Sequence, residues 1–299
     1  MKKILSLVLA FMLLLQCGTV AFAAEEQEEQ PYTLTQMRVG EEALDVITDD
    51  AVNCYFTEIQ EENDLTVVSA TMKTVYVAET ISANGDVSES HLMNEAEVVE
   101  YQNMVSTCSD NTYSVNGNTW IGEDEEEHQG GKLSIYLVVY KDSSGNYLAY
   151  GTADWENGVY WGGVNGPSSG YDFIAITWGG GGELKNTARS ISGIYQYDQG
   201  DISFSRAESD TYYGYCWQFN EKTGSYYADY IDCYAKIAKT YTTVQSKETS
   251  IQLTYIHTYQ SAVGSVSFEG GSSGAAAGVS LSSCDKQWQL EIDVPGITY

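Results

Sequence analysis

Apolar residues fall in runs of strand length along most of this chain, and turn residues separate the runs. The densest stretch spans residues 132–178, where four such runs are rich in β-branched and aromatic side chains. Eight further runs are typical of strands: residues 191–197, 202–207, 212–219, 226–238, 251–259, 263–268, 279–284 and 287–294. Short strands at this spacing predict a mainly β protein, an antiparallel β-sandwich or barrel-like meander, with a small α+β acidic region on its N-terminal side.

The turn at residues 142–146 sets the register of the first predicted strand pair. Its sequence, DSSGN, is typical of a type I turn that ends in a left-handed glycine, Gly145. Asp142 then faces Asn146, and counting back pairs Leu133 with Trp155, Ile135 with Ala153, Leu137 with Gly151, and Val139 with Ala149. Branched residues oppose small ones on this face, so another layer can pack close to it. The other face is also largely apolar, which predicts a strand pair covered on both sides.

Smaller elements are predicted before residue 132. Residues 65–93 are typical of a hairpin that turns at Asn84-Gly85. Asn94 and Glu97 form the capping-box pattern of a helix over residues 95–104. A weaker helical pattern over residues 41–63 places four residues at helical spacing: Ala51, Cys54, Tyr55 and Ile59.

The last two strands change the parity of their apolar positions. Apolar residues are odd-numbered from Ile251 to Tyr259 and even-numbered at Val266 and Phe268; on the return they are odd-numbered first and then even-numbered. The changes fall at Gly264 and at residues 282–283, where small residues favour β-bulges. The pattern predicts two long, bent strands joined by the loop EGGSSGAAAG, residues 269–278.

The N-terminus has the pattern of a bacterial secretion signal. Lys2 and Lys3 precede an apolar run at residues 4–15, and residues 21–23 form an A-x-A cleavage site. We therefore expect cleavage after Ala23 or Ala24 and an extracellular protein, with no transmembrane segment left after cleavage.

Five parts of the chain follow from these patterns. They are a signal peptide at residues 1–23, an acidic, flexible, partly helical segment at 24–64, a hairpin-plus-helix region at 65–121, an acidic linker or loop at 122–131 and an antiparallel β domain at 132–299. The linker is predicted from the run GEDEEEHQGG, because like charges in series favour an extended, solvated segment.

The charge is strongly negative, with a formal net charge of -28 at pH 7. Nucleic acids and anionic membrane surfaces are poor partners for such a surface. A neutral glycan or a cationic partner is compatible with the charge, whereas no motif supports bound Ca²⁺ or another cofactor. Solubility outside the cell explains the acidity without any partner.

Five cysteines follow the predicted cleavage site: Cys54, Cys108, Cys216, Cys233 and Cys284. None of their spacings matches a zinc site. Two turns are compatible with the sequence between Cys216 and Cys233. A two-residue turn at Gly224-Ser225 would place the two thiols opposite each other, whereas a four-residue loop at residues 221–224 would keep them apart. We favour the four-residue loop and predict that the two thiols are not bonded to each other.

No catalytic motif is present, and three isolated histidines, His91, His128 and His257, form no triad pattern. His257 lies on the apolar face of its predicted strand, which is typical of a core residue. The weak catalytic candidates are Asp154 and Asp172, since a glycoside hydrolase needs two carboxylates in an aromatic cleft. Turn bonding or simple exposure is the favoured explanation of these two residues, because acidic residues are abundant in the chain.

The 24 tyrosines and six tryptophans are the better functional signal. An Asn157-Gly158 turn would place Trp155 opposite Tyr160 and bring Trp161 nearby, so these three rings are candidates for stacking on a neutral glycan. Aromatic residues also favour strands for packing alone.

Three functions from different classes therefore remain open. The sequence favours a secreted or envelope-associated non-catalytic binding or structural protein, with a glycan as one ligand class. The alternatives are a secreted glycoside hydrolase and a β-pore-forming protein. The last rests on the C-terminal hairpin, where Ser, Thr and Gln alternate with apolar residues.

Overall fold

Two antiparallel sheets and a separate two-stranded hairpin make up this computed structural model. It describes residues 30–81, 87–107, 119–121, 127–156, 171–196, 199–223, 226–241, 246–259, 264–270 and 274–299. The predicted fold class, mainly β with antiparallel sheets in a sandwich-like arrangement, is confirmed. The predicted signal peptide lies outside the described residues.

The first sheet has the order β1-β2-β5-β6-β12-β11, with β3 beside β2, β4 beside β5 and β8 beside β12. Its strands are β1 (Thr33–Val39), β2 (Thr66–Ile81), β3 (Val87–Leu92), β4 (Thr119–Ile121), β5 (Glu127–Lys141), β6 (Tyr147–Glu156), β8 (Leu184–Tyr195), β11 (Lys222–Thr223) and β12 (Tyr226–Lys239). The register predicted for β5 and β6 is confirmed at every pair, from Leu133 with Trp155 to Val139 with Ala149. Gly145 has a φ of 80°, and its amide donates to the carbonyl of Asp142 at 2.9 Å, as the turn chemistry predicts.

The second sheet has the order β16-β13-β7-β10-β9. Its strands are β7 (Tyr171–Trp178), β9 (Phe204–Asp210), β10 (Gly214–Asn220), β13 (Glu248–Thr258) and β16 (Gln287–Thr298). The two remaining strands, β14 (Val266–Gly270) and β15 (Ala277–Leu281), pair only with each other among the described strands. We refer to β14 and β15 together as the hairpin.

The main core lies between the two sheets. Branched residues of β5, such as Leu133 and Ile135, meet inward residues of the second sheet, such as Leu253 and Tyr255, in one buried cluster. Gly151 lets the layers approach closely, because a Cβ added there would lie 2.6 Å from Leu253 Cδ1. The predicted close packing on small residues is therefore confirmed.

Each sheet is also covered on its outer face. An N-terminal 3-10 helix (Ala43–Val46) and helix α1 (Asp50–Glu62) cover Tyr136, Val138 and Tyr140 of the first sheet. The hairpin covers the outer face of the second sheet, where Val266 and Val279 pack with Phe173 and Ile256. Helix α2 (Glu95–Thr107) covers a smaller cluster around Met93 and Val98.

Both predicted helices are present. At α2, the Glu97 amide donates to Asn94 Oδ1 at 3.0 Å and the Asn94 amide donates to Glu97 Oε2 at 2.7 Å, which confirms the capping box. At α1, the predicted positions are confirmed in part. Tyr55 and Ile59 pack against the cluster under the helix together with the buried Val52 and Phe56, whereas Ala51 and Cys54 are exposed.

The predicted acidic linker contains sheet residues. Glu127 to Gly131 belong to β5 and pair with β2, and residues 31–299 form one compact unit. Residues 122–126 lie outside the described residues.

Cys216 and Cys233 are both free, as predicted, but the predicted loop was wrong. Thr223 faces Tyr226, which is the register of the two-residue turn. The thiols nevertheless stay apart, because Cys216 lies on β10 in the second sheet and Cys233 on β12 in the first. The chain crosses between the sheets after β10, so β10 and β12 are not a hairpin.

The tight contact at Gly151 gives a stability prediction. Replacing Gly151 by Ala should lower the free energy of unfolding by about 1–3 kcal/mol, because the new methyl group overlaps Leu253 and Cys233 in a packed core. Urea denaturation measures the change. The control is Gly278→Ala, where the nearest atom to an added Cβ is 3.7 Å away. Equal stability of the two variants would contradict the tight contact.

Candidate functional site

Of the three aromatic residues predicted to bind a glycan, the structure describes Trp155. Trp155 is 3% exposed and packs between the sheets, with ring centroids 5.8 Å from Tyr255 and 6.4 Å from Trp288. In that position it offers no ring face to a glycan. Tyr160 and Trp161 lie outside the described residues.

The two candidate catalytic carboxylates are not brought together. Asp154 lies on β6 of the first sheet, on the face opposite its core neighbours Ala153 and Trp155. Asp172 lies on β7 of the second sheet and is fully buried. The paired-carboxylate arrangement of a glycoside hydrolase is therefore absent at these two residues.

Asp172 instead belongs to a buried network with residues near the end of β13. Its carboxylate lies 3.1 Å from His257 Nδ1, and the hydroxyl of Tyr255 donates to it. The amide of Thr258 donates to Asp172 Oδ1 at 3.1 Å. Asp172 thus contacts three groups near the end of β13: the side chains of Tyr255 and His257 and the amide of Thr258.

Two further acids complete the network around His257. Glu221, which follows β10, approaches His257 Nδ1 at 3.2 Å, and Glu79 of β2 approaches His257 Nε2 at 3.5 Å. All of these side chains are at most 10% exposed. We refer to Glu79, Asp172, Glu221 and His257 as the charge cluster. The sequence predicts the inward position of His257 and singles out Asp172, but it does not point to Glu79 or Glu221 as their partners.

Burial and mutual repulsion change the acidity of these groups. Burial raises the pKa of Glu221 to about 7, and the negative charge of Asp172 adds to the increase. Burial alone would lower the pKa of His257, but the negative charges of Asp172 and Glu221 outweigh it, so this pKa lies well above its ordinary value. The cluster therefore holds protons that the same groups would lose in water near neutral pH.

The cluster is best described as an ion-pair network. Donor atoms of Asp172, Glu221 and His257 lie within 4.8 Å of one another, a spacing also seen in metal sites. Each of the three already contacts an oppositely charged or hydrogen-bonding partner. We assign no metal to it.

The cluster lies at the base of the hairpin. His257 and Thr258 end β13, and Thr258 pairs with Gln287, the first residue of β16. The amide of Tyr259 donates to the carbonyl of Lys286 at 3.1 Å. We refer to Thr258, Tyr259, Lys286 and Gln287 as the hairpin base.

The hairpin itself has two chemically different faces. Its inner face packs apolar side chains on the second sheet: Val266, Phe268, Ala277, Val279 and Leu281. Its outer face carries serines paired across the strands, with 2.9 Å between the hydroxyls of Ser267 and Ser280. Ser280 also donates to Glu269 at 2.7 Å. The hairpin is therefore amphipathic, with alternation of period two.

The hairpin folds back along the sheet. The amide of Ala276, beside the hairpin tip, donates at 2.6 Å to Ser250, which lies near the start of β13, whereas the base lies at the end of β13. The bent, continuous strands predicted from the parity change were therefore wrong. Side-chain packing, rather than a shared backbone ladder, holds the hairpin against the second sheet.

Comparisons with known proteins give weak similarities. No family model and no curated protein matches the chain. One similar solved structure is the KRT10-binding region domain of the pneumococcal serine-rich repeat protein PsrP, with 14% identity and a TM-score of 0.24, covering 42% of this chain and 76% of that one. Another is described as a pore forming protein, with 8% identity and a TM-score of 0.26, covering 77% and 96%. Scores this low carry no argument about function.

Removing Asp172 should destabilise the protein strongly. Asp172→Ala is expected to lower the free energy of unfolding by about 3–5 kcal/mol, because it leaves the buried charge of His257 and the amide of Thr258 without this partner. Thermal and urea denaturation measure the loss.

The matched control is Asp293→Ala, an exposed carboxylate on β16, with an expected change within about 0.5 kcal/mol. An Asp172→Ala protein as stable as the control would contradict a structural role for the cluster.

Proposed function

We propose that this is a secreted, non-enzymatic protein that acts on membranes, and that the hairpin is the segment that enters the bilayer. The observation that supports the proposal is an amphipathic two-stranded unit that packs on a sheet through side chains, without joining its ladder. Such a unit can leave the sheet with its own strand pair intact and without breaking the hydrogen bonds between the strands of the second sheet. Among the described residues, no helix is both long and apolar enough to cross a bilayer.

The parity of the strands supports the same function. If β13 continued straight beyond Thr258, counting along the chain would put Val266 and Phe268 on the face of Ile256. The same count back from β16 puts Val279 and Leu281 on that face too. All four apolar side chains would then form one row, with the serines on the other side. The parity change therefore means that the alternating apolar side chains switch from one face of the strand to the other beyond Thr258.

This arrangement matches the requirements of a membrane strand. Strands that line a membrane pore alternate lipid-facing apolar residues with polar residues that face the lumen. The 28 residues from 259 to 286 leave about 12 for each arm after a short turn, and a tilted strand needs about 9–11 to cross the hydrocarbon core. Since a lone hairpin would expose unpaired backbone groups to lipid, we further propose that several copies assemble.

The other two functions have less support. A glycoside hydrolase needs two facing carboxylates, and Asp154 and Asp172 lie in different sheets. The glycan-binding hypothesis loses Trp155, which is buried between the sheets. A neutral glycan or a cationic partner stays a prediction, and a receptor of either kind is compatible with a membrane-active protein.

Lipid-phase quenching tests the alternation directly. Single cysteines carrying an environment-sensitive dye are placed along the hairpin in a background where Cys54 and Cys108 are replaced by Ser and the buried Cys216, Cys233 and Cys284 by Ala. On phosphatidylcholine vesicles, dyes at Phe268 and Val279 should be quenched by nitroxide lipids, and dyes at Ser267 and Ser280 should not. Uniform protection of all four positions would exclude insertion of this segment.

Dye release from the same vesicles tests the consequence. Val279→Lys should reduce the rate of release by at least about tenfold, since a lysine facing lipid near the bilayer centre costs about 2–4 kcal/mol. Ser280→Lys, its neighbour on the polar face, should release dye at nearly the wild-type rate. Circular dichroism and thermal denaturation of both variants verify that they fold. Equal rates in the two variants, or no release by the wild type, would exclude the proposal.

A further inference from the structure

The charge cluster joins four separate stretches of the chain at one point. Glu79 comes from the first sheet, Asp172 and His257 come from neighbouring strands of the second, and Glu221 comes from the crossover between the sheets. The amide of Thr258, in the hairpin base, donates directly to Asp172. The cluster therefore couples the hairpin base to both sheets.

Every element packed around His257 contributes to its surroundings. The titratable side chains that face it are Asp172 of β7, Glu221 beyond β10, Glu79 of β2, Tyr255 and Tyr259 of its own segment, and Cys284 before β16. Lys286 lies over the Tyr259 ring, and the charge of Glu89 also acts on Tyr259. Trp288 packs on His257, with ring centroids 5.1 Å apart. Three acids thus surround one imidazole.

We propose that protons held by this cluster control the hairpin base: the base is closed while Glu221 and His257 are protonated, and it opens as the pH rises. This inference rests on the proposed function only for what the freed hairpin then does at a membrane. The opening itself takes place in the protein alone.

The direction of the effect follows from proton binding. Both Glu221 and His257 hold their protons more tightly in the closed protein than in water, where their ordinary pKa values are 4.5 and 6.5. A group with a raised pKa stabilises the closed state at low pH, and that stability is lost as the pH rises towards the shifted value. Glu221 contributes a loss from about pH 4.5 to about 7, and His257 a further loss above 6.5. Acid therefore keeps the base closed.

The physical cause is repulsion between buried acids. When Glu221 ionises, it adds a negative charge beside Asp172 in a largely buried site. When His257 then loses its proton, its positive charge no longer offsets the carboxylates around it. Movement of the end of β13 and of the crossover away from Asp172 relieves this repulsion, and the Thr258 amide then loses its bond to Asp172.

Hydrogen exchange measures the opening without any membrane. Exchange rates are first corrected for the intrinsic rate at each pH. The equilibrium constant for opening at the Thr258 and Tyr259 amides should then rise at least about tenfold from pH 5 to pH 7, because one linked proton changes an equilibrium constant by up to tenfold per pH unit. In Glu221→Gln the rise over the same interval should be at most about fourfold, which is the contribution of His257 alone.

The control variant is Glu248→Gln, an exposed acid at the other end of β13, which should keep the wild-type pH dependence. A wild-type protein without the rise, or a Glu221→Gln protein that keeps it, would overturn the inference. If Glu221→Gln does not fold, NMR of the His257 imidazole in the wild-type protein provides the test. The ring should be an imidazolium at pH 7, and a neutral ring would overturn the inference.

The two proposals fail separately. A pH-dependent base in a protein that never releases vesicle contents would refute the membrane function and leave the inference standing. Dye release from vesicles by a protein whose hairpin base opens equally at pH 5 and pH 7 would refute the inference and leave the membrane function standing.

Discussion

The structure depends on one constraint: both sheets are apolar on both faces, so each needs cover on two sides. The facing surfaces cover each other, and close approach at Gly151 makes that core dense. The N-terminal helices cover the outer face of the first sheet, and the hairpin covers the outer face of the second. The hairpin is therefore both a structural cover and the candidate for movement. Its departure would expose Phe173 and Ile256, so the released state needs lipid or another copy of the chain to bury apolar surface again.

The elements that local chemistry determines could be predicted from the sequence. The β5–β6 register follows from a turn in which Gly145 adopts a positive φ, and the start of α2 follows from Asn94 and Glu97. Whether a strand continues or the chain crosses to another sheet depends on long-range packing. For this reason the turn after Cys216 and the path of the hairpin were predicted wrongly, although the residues involved were identified.

The charge cluster was accessible to sequence analysis only in part. Glu79 has the same parity as the core residues Val75 and Val77, and His257 has the same parity as Leu253 and Tyr255. A charged residue at core parity in an apolar strand is therefore a usable signal for a buried polar network. What parity cannot give is the partner: residues 79, 172, 221 and 257 meet only because two sheets pack and the chain crosses between them.

The position of the cluster links stability to movement. A buried network of charges contributes little net stability compared with apolar packing, but it is sensitive to the gain or loss of one proton. The hairpin is held by a small apolar patch, and its base is held by the ladder of β13 and β16 together with the bond from Thr258 to Asp172. A proton lost at Glu221 acts on the base and on Tyr255 and Trp288, the core residues that contact the cluster. An apolar residue at position 257 would leave the three acids without the imidazolium, so in the proposed switch the histidine both offsets their charge and makes the stability of the base depend on pH.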